Sequence, residues 1–225
     1  MIVGPSAPVG HEPRFLIYNI TWKAYETFLS ALGDGHNIRL TYDRGTLELM
    51  SPSPVHEIYK HWLGLVLTML AMELNVRIKA CGSTTFRRED LDRGLEPDEC
   101  FYLASASRIR DWTSLDLTRD PPPDLAMEVD ITSSSVNRMS IYAALRVPEL
   151  WRFDGVTLRF YRLGASQEYE ECEHSPSFPL LPADRVVAFL HQSTETDDDT
   201  RLAQAIRTWI QNDILPKWQG STGNS

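Results

Sequence analysis

The residues best placed to do chemistry lie between Pro121 and Tyr142, in the stretch PPPDLAMEVDITSSSVNRMSIY. With the two-residue period of a strand, Asp124, Ala126, Glu128 and Asp130 share one face, and Leu125, Met127, Val129 and Ile131 share the other. Side chains on alternate residues of a strand stand roughly 6–7 Å apart. Carboxylates that close repel unless a cation sits between them or one takes up a proton. A divalent metal is the reading that answers this repulsion. Asp98, which follows Pro97 at the head of another strand, adds a carboxylate that a neighbouring strand could bring beside Glu128. Mg²⁺ asks for hard oxygen ligands and often takes only one or two carboxylates, with water and substrate phosphate completing the shell. A metal so held activates water for phosphodiester cleavage. The plainer alternative is that these are solvating acids at strand ends.

Such an arrangement needs strands laid side by side and helices to close them. Pro121, Pro122 and Pro123 feed the acidic stretch in extended form, since each fixes its own φ and keeps its predecessor out of the helical region. Residues 133–135 are placed to cap a short helix, VNRMSIYAAL, and 147–153 read as the next strand. Upstream, Thr21 reads as the N-cap of TWKAYETFLSAL, ended by Gly33 and Gly35. NIRLTYDRGTLELMS alternates on both sides of Asp43-Arg44-Gly45, the pattern of a hairpin. Ser53-Pro54 opens a long helix over about 54–74, with Ile58, Trp62, Leu65, Val66, Met69 and Met72 as its buried stripe. Short strands are expected at 76–79 and 84–88, then a polar, turn-rich link through Asp90, Asp92 and Gly94, then the strand ECFYLA. Strands at 158–163 and 169–173, a short helix within 182–190 and a helix over 201–214 follow. The expected divisions are a leader (1–20), one domain (21–192), a C-terminal helical stretch (193–218) and a disordered tail (219–225). Helices and strands interleave without strict alternation, which predicts an α+β fold with a mixed sheet flanked by helices.

Other side chains narrow the chemistry. Lys60, Arg87 and Arg88 are the basic candidates for substrate contact, although Lys60 could pair with Glu57 one turn back, and Arg87-Arg88 with Glu89-Asp90. His56 and His61 are five apart, about 140° around a helix, and do not face together. Residues 133–135 suit a cap better than a nucleophile, because no GxSxG turn surrounds them. Trp22, Tyr25 and Phe28 read as core or as a dimer surface.

With 225 residues, 42% of them hydrophobic and 24% charged, the chain can build one substantial core. The net charge of −9 argues against a general nucleic-acid coat, yet leaves room for an enzyme that meets nucleic acid through a local basic patch. The longest apolar run, 62–72, falls far short of the roughly 20 residues of a membrane span. The N-terminal residues do not read as a secretory signal, and Cys81, Cys100 and Cys172 form no CxxC pair, so a cytoplasmic protein with reduced thiols is expected.

The stretches LTYDRGTLELMSPSPVHE, GSTTFRRED with GLEPDECFYLA, and PPPDLAMEVDITSSS with IYAALRVPELWRFDG resemble the Uma-type restriction endonucleases of the PD-(D/E)XK nuclease superfamily. The resemblance covers about 21–190. It implies a restriction-endonuclease-like core and hydrolysis of DNA with Mg²⁺ or Mn²⁺. It places Asp98 as the aspartate of the PD motif, Glu128 as the acid of the E-x-K strand, and Glu57 as the helical glutamate that supports the metal. Asp130, on the acidic face beside Glu128, stands where E-x-K has its lysine. The migrated basic position falls on Arg138, one turn before Tyr142. Arginine can orient a phosphate and stabilise developing negative charge, but its pKa is too high for a base. Arg138 also reads as an ion-pair partner of Glu128 or Asp130, and Glu57 as a first-turn acid stabilised by the helix dipole. Two-fold pairing into a homodimer would suit a cut through both strands. The competing classes are a nuclease-derived binding or assembly module without turnover, and a two-carboxylate glycoside hydrolase.

Overall fold

The structure is a computed structural model describing residues 12–33, 37–132, 134 and 136–222. The chain runs β1 (Arg14–Ile17), α1 (Trp22–Leu32), β2 (Arg39–Asp43), β3 (Thr46–Met50), α2 (Pro54–Glu73), β4 (Lys79–Ala80), β5 (Phe86–Arg88), β6 (Arg93–Leu95), β7 (Glu99–Tyr102) and β8 (Leu125–Val129). It continues through α3 (Arg138–Ala144), β9 (Glu149–Phe153), β10 (Leu158–Leu163), β11 (Tyr169–Cys172), α4 (Ala183–Glu195), α5 (Asp199–Trp209) and α6 (Leu215–Thr222).

Two sheets form, in the orders β1-β3-β2-β6-β5 and β11-β10-β9-β8-β7-β4. The first is antiparallel throughout, with the anticipated hairpin as β2 and β3. The second is mixed, because β8 and β9 run parallel while their neighbours are antiparallel. Parallel neighbours cannot be joined by a tight turn, so the chain crosses over, and α3 is the crossing. One face of the mixed sheet (Leu125, Met127, Val129, Trp151, Phe153) packs on Trp62, Val66 and Leu70 of α2 and on α4 and α5. The opposite face (Cys100, Ala126, Leu150) packs on Ile141 and Tyr142 of α3 and on Phe86 and Leu95 of the first sheet.

Central strand β8 is therefore buried along its whole length, and the face that carries Glu128 lies between layers. A central strand flanked by a parallel neighbour has both faces covered. Asp124 sits just before it, accepting from the backbone N–H groups of Leu103 (2.6 Å) and Ser105 (3.0 Å), a loop-fixing role.

Local caps explain most helix starts. Thr21 accepts from Ala24 N–H at 3.3 Å and Ser53 from His56 N–H at 3.2 Å. The cap of α3 is Asn137, which accepts from Ser140 N–H at 3.1 Å, and not the serines 133–135. Of these, 133 and 135 lie outside the described residues, and Ser134 donates to Glu48 at 2.8 Å. Gly33 closes α1 with φ 67°, while Gly35 lies outside the described residues.

Several boundaries differ from expectation. The leader contributes β1, which pairs with β3 from Arg14↔Met50 to Ile17↔Leu47. The expected polar link contains β6, too short to show a period in sequence. The strand expected at 76–79 is the two-residue β4. The C-terminal stretch folds as α4, α5, a π-helical segment (Ile210–Ile214) and α6, so the expected disordered tail is helical as far as Thr222, and 223–225 lie outside the described residues. The buried stripe of α2 is His56, Tyr59, Leu63, Val66 and Leu70 with their neighbours, whereas Met72 is 61% exposed. No helix among the described residues is long and apolar enough to cross a membrane.

Gly94 of β6 lies directly under Tyr25 of α1, and a Cβ there would collide with the Tyr25 ring and hydroxyl. That ring is stacked on Tyr42 with centroids 4.7 Å apart. Gly94→Ala is expected to push the ring off the stack and cost about 1–3 kcal/mol, read as a lower urea midpoint with unchanged slope.

Candidate active site

The register of β7 on β8 brings two acids together. Glu99 faces Met127 and Cys100 faces Ala126, so one further step sets Asp98 opposite Glu128 on the same side of the sheet. Both are almost fully buried, at 2% and 6% exposure.

Asp98 is held from two directions. Its Oδ2 accepts from the backbone N–H of Val129 at 2.8 Å, and its Oδ1 lies 2.9 Å from Nε2 of His56. His56 is the third residue of α2 and has no exposure. Its other ring nitrogen lies 2.7 Å from Oε1 of Glu12, close enough for an ion pair though poorly aligned as a hydrogen bond. Burial pushes the Asp98 carboxyl up, but the facing His56 and then Arg138 pull it below the usual range. Burial alone would lower the His56 pKa; the Asp98 and Glu12 carboxylates outweigh it and raise the value to about 10.

Glu128 is held from α3. Its Oε1 accepts from Nη2 of Arg138 at 2.6 Å and from the hydroxyl of Tyr142. Arg138 and Tyr142 are four residues apart and so stand over one another on the helix face. Arg138 also donates to Thr41 Oγ1 at 2.5 Å and to the backbone carbonyl of Glu96 at 2.8 Å, tying α3 to both sheets. Burial raises the Glu128 carboxyl, Arg138 draws it back and Asp98 raises it again, to about 6. Burial and the Glu128 charge lift Tyr142 well above the usual phenol range, so it serves as a neutral donor.

A cavity of about 190 Å³ opens beside this cluster, lined among others by Glu128, Asp130, Asn137, Arg138, Tyr142 and Arg152. Asp130 faces it but is paired with Arg152 at 2.6 Å and more loosely with Arg14 at 3.8 Å. Arg138 thus takes Glu128 as its partner, and Asp130 takes Arg152.

Among the described residues no group of three or more His, Cys, Asp and Glu is placed to hold a metal ion. A Mg²⁺ site does not require one, since one or two carboxylates with water suffice. Glu128 and Asp98 supply that pair as hard oxygen donors. Glu128 and Asp98 are opposed across β7 and β8, and Arg138 is the cation paired with Glu128. The donor set fits a small divalent cation.

The remaining expected residues lie elsewhere. Glu57 turns away from the cluster, toward Lys60 (3.2 Å) and Arg39 (3.6 Å), with its side chain 44% exposed. Lys60 is accordingly its one-turn partner. Arg88 is bound by Asp90 at 2.6 Å and donates to the Leu117 carbonyl at 3.1 Å. Arg87 lies 3.7 Å from Glu26 and lines a separate groove of about 1020 Å³ shared with Arg39, Glu96 and Arg119. Sequence reasoning missed His56, Glu12 and Thr41. For His56 a signal was present, since it falls in helical phase with Tyr59, Leu63, Val66 and Leu70.

The fold is α+β, with the carboxylates of Asp98 and Glu128 on neighbouring strands of a mixed sheet and Arg138 of α3 against Glu128. A family model for Uma2, described as "Putative restriction endonuclease", matches residues 22–190, and the chain belongs to that nuclease family, with its restriction-endonuclease-like core. A solved structure from Anabaena variabilis, described as a "putative nuclease belonging to DUF820", is similar at 13% identity with a TM-score of 0.48, covering 84% of this chain and 99% of that one. No curated protein matches the chain.

Proposed function

We propose that the protein is a divalent-metal-dependent DNA endonuclease that hydrolyses phosphodiester bonds, with Glu128 and Asp98 as the ligands of Mg²⁺ or Mn²⁺. The observation that carries this reading is the meeting of Asp98 and Glu128 across β7 and β8, with Arg138 against them, in a chain of a nuclease family. When bound, the cation would supply a Lewis acid and a more acidic water. The chain's own groups do the rest. The Arg138 guanidinium, beside Glu128 at the cavity, would stabilise negative charge that develops on a phosphate oxygen there. Tyr142 holds Glu128 in place as a neutral donor. Val129 N–H and His56 fix the plane of the Asp98 carboxylate. Arg87 and Arg119, which line the larger groove beside Glu26 and Asp116, are the basic side chains proposed to meet the nucleic-acid backbone.

Asp130 is given a subordinate place: it faces the same cavity, but Arg152 already answers its charge. Glu57 is given none at the metal. The active form is proposed as a homodimer, supported by Phe15, 66% exposed on edge strand β1; sedimentation of a monomer at all concentrations would dismiss the pairing. The location is proposed as cytoplasmic, with Cys81, Cys100 and Cys172 as free thiols.

One observation favours a second reading, a nuclease-fold binding module without turnover. Both Nη atoms of Arg138 are committed, to Glu128, Thr41 and the Glu96 carbonyl. Nicking of supercoiled plasmid with Mn²⁺, measured beside Mn²⁺ calorimetry, separates the two. Cation-dependent nicking supports the enzyme; tight Mn²⁺ binding without nicking supports the module.

A further inference from the structure

We propose that Glu12 is a positioning residue of the active site, holding the buried His56 ring so that Nε2–H is presented to Asp98. The inference rests on the reading of Asp98 as a cation ligand. Glu12 lies outside the span of the family match, 22–190, so the part of the chain before the nuclease domain would complete its site.

The geometry leaves His56 little freedom. A carboxylate oxygen stands on each side of the ring, Glu12 Oε1 2.7 Å from Nδ1 and Asp98 Oδ1 2.9 Å from Nε2. Turning the ring would break both pairs. Glu12 is itself fixed. Its side chain has no exposure, and its Oε2 accepts from the Thr132 hydroxyl at 2.5 Å and from Arg14 Nη2 at 3.4 Å. Arg14 reaches on to the Thr132 carbonyl at 3.0 Å and to Glu48 at 3.0 Å. Thr132 belongs to the segment leaving β8, the strand that carries Glu128. One carboxylate therefore clamps the N-terminal segment, the start of α2 and the exit of β8 around Asp98. Apolar side chains would fill this space without the desolvation cost of three buried charges. What the charged trio adds is orientation, since it sets Asp98 Oδ1 while Val129 N–H sets Oδ2. Groups that hold a metal ligand in this way, when replaced, typically cost about 10–100-fold in metal affinity or activity.

The test compares Glu12→Ala, Glu12→Gln and Glu12→Asp with the unaltered full chain by three readouts. These are the His56 ring N–H resonances in metal-free protein, Mn²⁺ affinity by calorimetry, and kcat and KM for plasmid nicking. Glu12→Ala is expected to abolish the Nδ1–H resonance, move the Nε2–H resonance, and lower both Mn²⁺ affinity and kcat about 10–100-fold with KM for DNA unchanged. Glu12→Asp is expected to recover part of each. Glu12→Gln keeps acceptors for Thr132 and Arg14 but removes the charge, and serves if the alanine variant does not fold. Ring resonances unaltered in Glu12→Ala, or altered resonances with Mn²⁺ affinity and kcat intact, would overturn the proposal. If the unaltered protein neither binds Mn²⁺ nor nicks DNA, the nuclease reading fails, and with it the catalytic part of the proposal. The ring resonances would then still decide whether Glu12 holds His56.

Discussion

Glu128→Ala is expected to reduce metal-dependent DNA cleavage by about 10³-fold or more, because a Lewis-acid contribution of several kcal/mol leaves with the ligand. The substitution also strands Arg138, whose side chain is only 12% exposed, without its carboxylate. Breaking one half of a buried pair costs about 3–5 kcal/mol, so part of any loss could come from unfolding. Glu128→Gln separates the effects. It preserves an acceptor for Arg138 and Tyr142 and nearly the same volume, but gives up the charge a cation requires. Single-turnover cleavage by the folded Glu128→Gln protein, checked by thermal melt, is expected to fall as far as in the alanine variant. Cleavage at the unaltered rate would remove Glu128 from the chemistry.

The second large effect is on stability. His56 is the buried cation between Glu12 and Asp98, and His56→Ala leaves both carboxylates without it. The expected cost is about 3–5 kcal/mol, read from urea unfolding at neutral pH. The same group sets a pH dependence of known sign. Its folded pKa of about 10 lies above the ordinary 6.5, so its contribution is fully present below about 6.5 and is lost as pH rises through about 10. Asp98 contributes in the opposite sense: its carboxyl is held below the usual 3.8, so its share is present above that value and is lost as pH falls beneath it. Urea midpoints taken from pH 6 to pH 10 are expected to fall for the unaltered protein and to fall less for His56→Ala. Parallel curves would show that His56 is not charged in the fold.

Much of this was legible in the sequence because the strand period and the helix caps are local. The hairpin of β2 and β3, the start of α2 at Ser53-Pro54 and the succession of strand, helix and strand at β8, α3 and β9 all follow from short-range patterns. Asp98 and Glu128 were named from their places on strands, and Arg138 from the family resemblance; Arg138 pairs with Glu128, which lies opposite Asp98. The failures have physical causes. The expected stripe of α2 included Ile58, Leu65 and Met69, which are only partly buried, and Met72, which is exposed. The true stripe is rotated toward Tyr59, Leu63 and Leu70. Since consecutive residues on a helix differ by 100°, that rotation carries His56 to Asp98 and turns Glu57 out to Lys60 and Arg39. Asp130 was read as a partner of Glu128 from strand alternation alone. Its pairing with Arg152 depends on the parallel register Glu128↔Arg152, which no local pattern encodes. Glu12 was invisible for the same reason, as its contacts with His56 and Thr132 join residues more than 40 positions apart.

The most direct test is a crystal soaked in Mn²⁺ and measured for anomalous scattering. A peak within bonding distance of carboxylate oxygens from both Glu128 and Asp98, with Arg138 displaced from Glu128 or turned toward solvent, is the expected result. No peak at those oxygens under saturating Mn²⁺, with Arg138 still paired to Glu128, would contradict it.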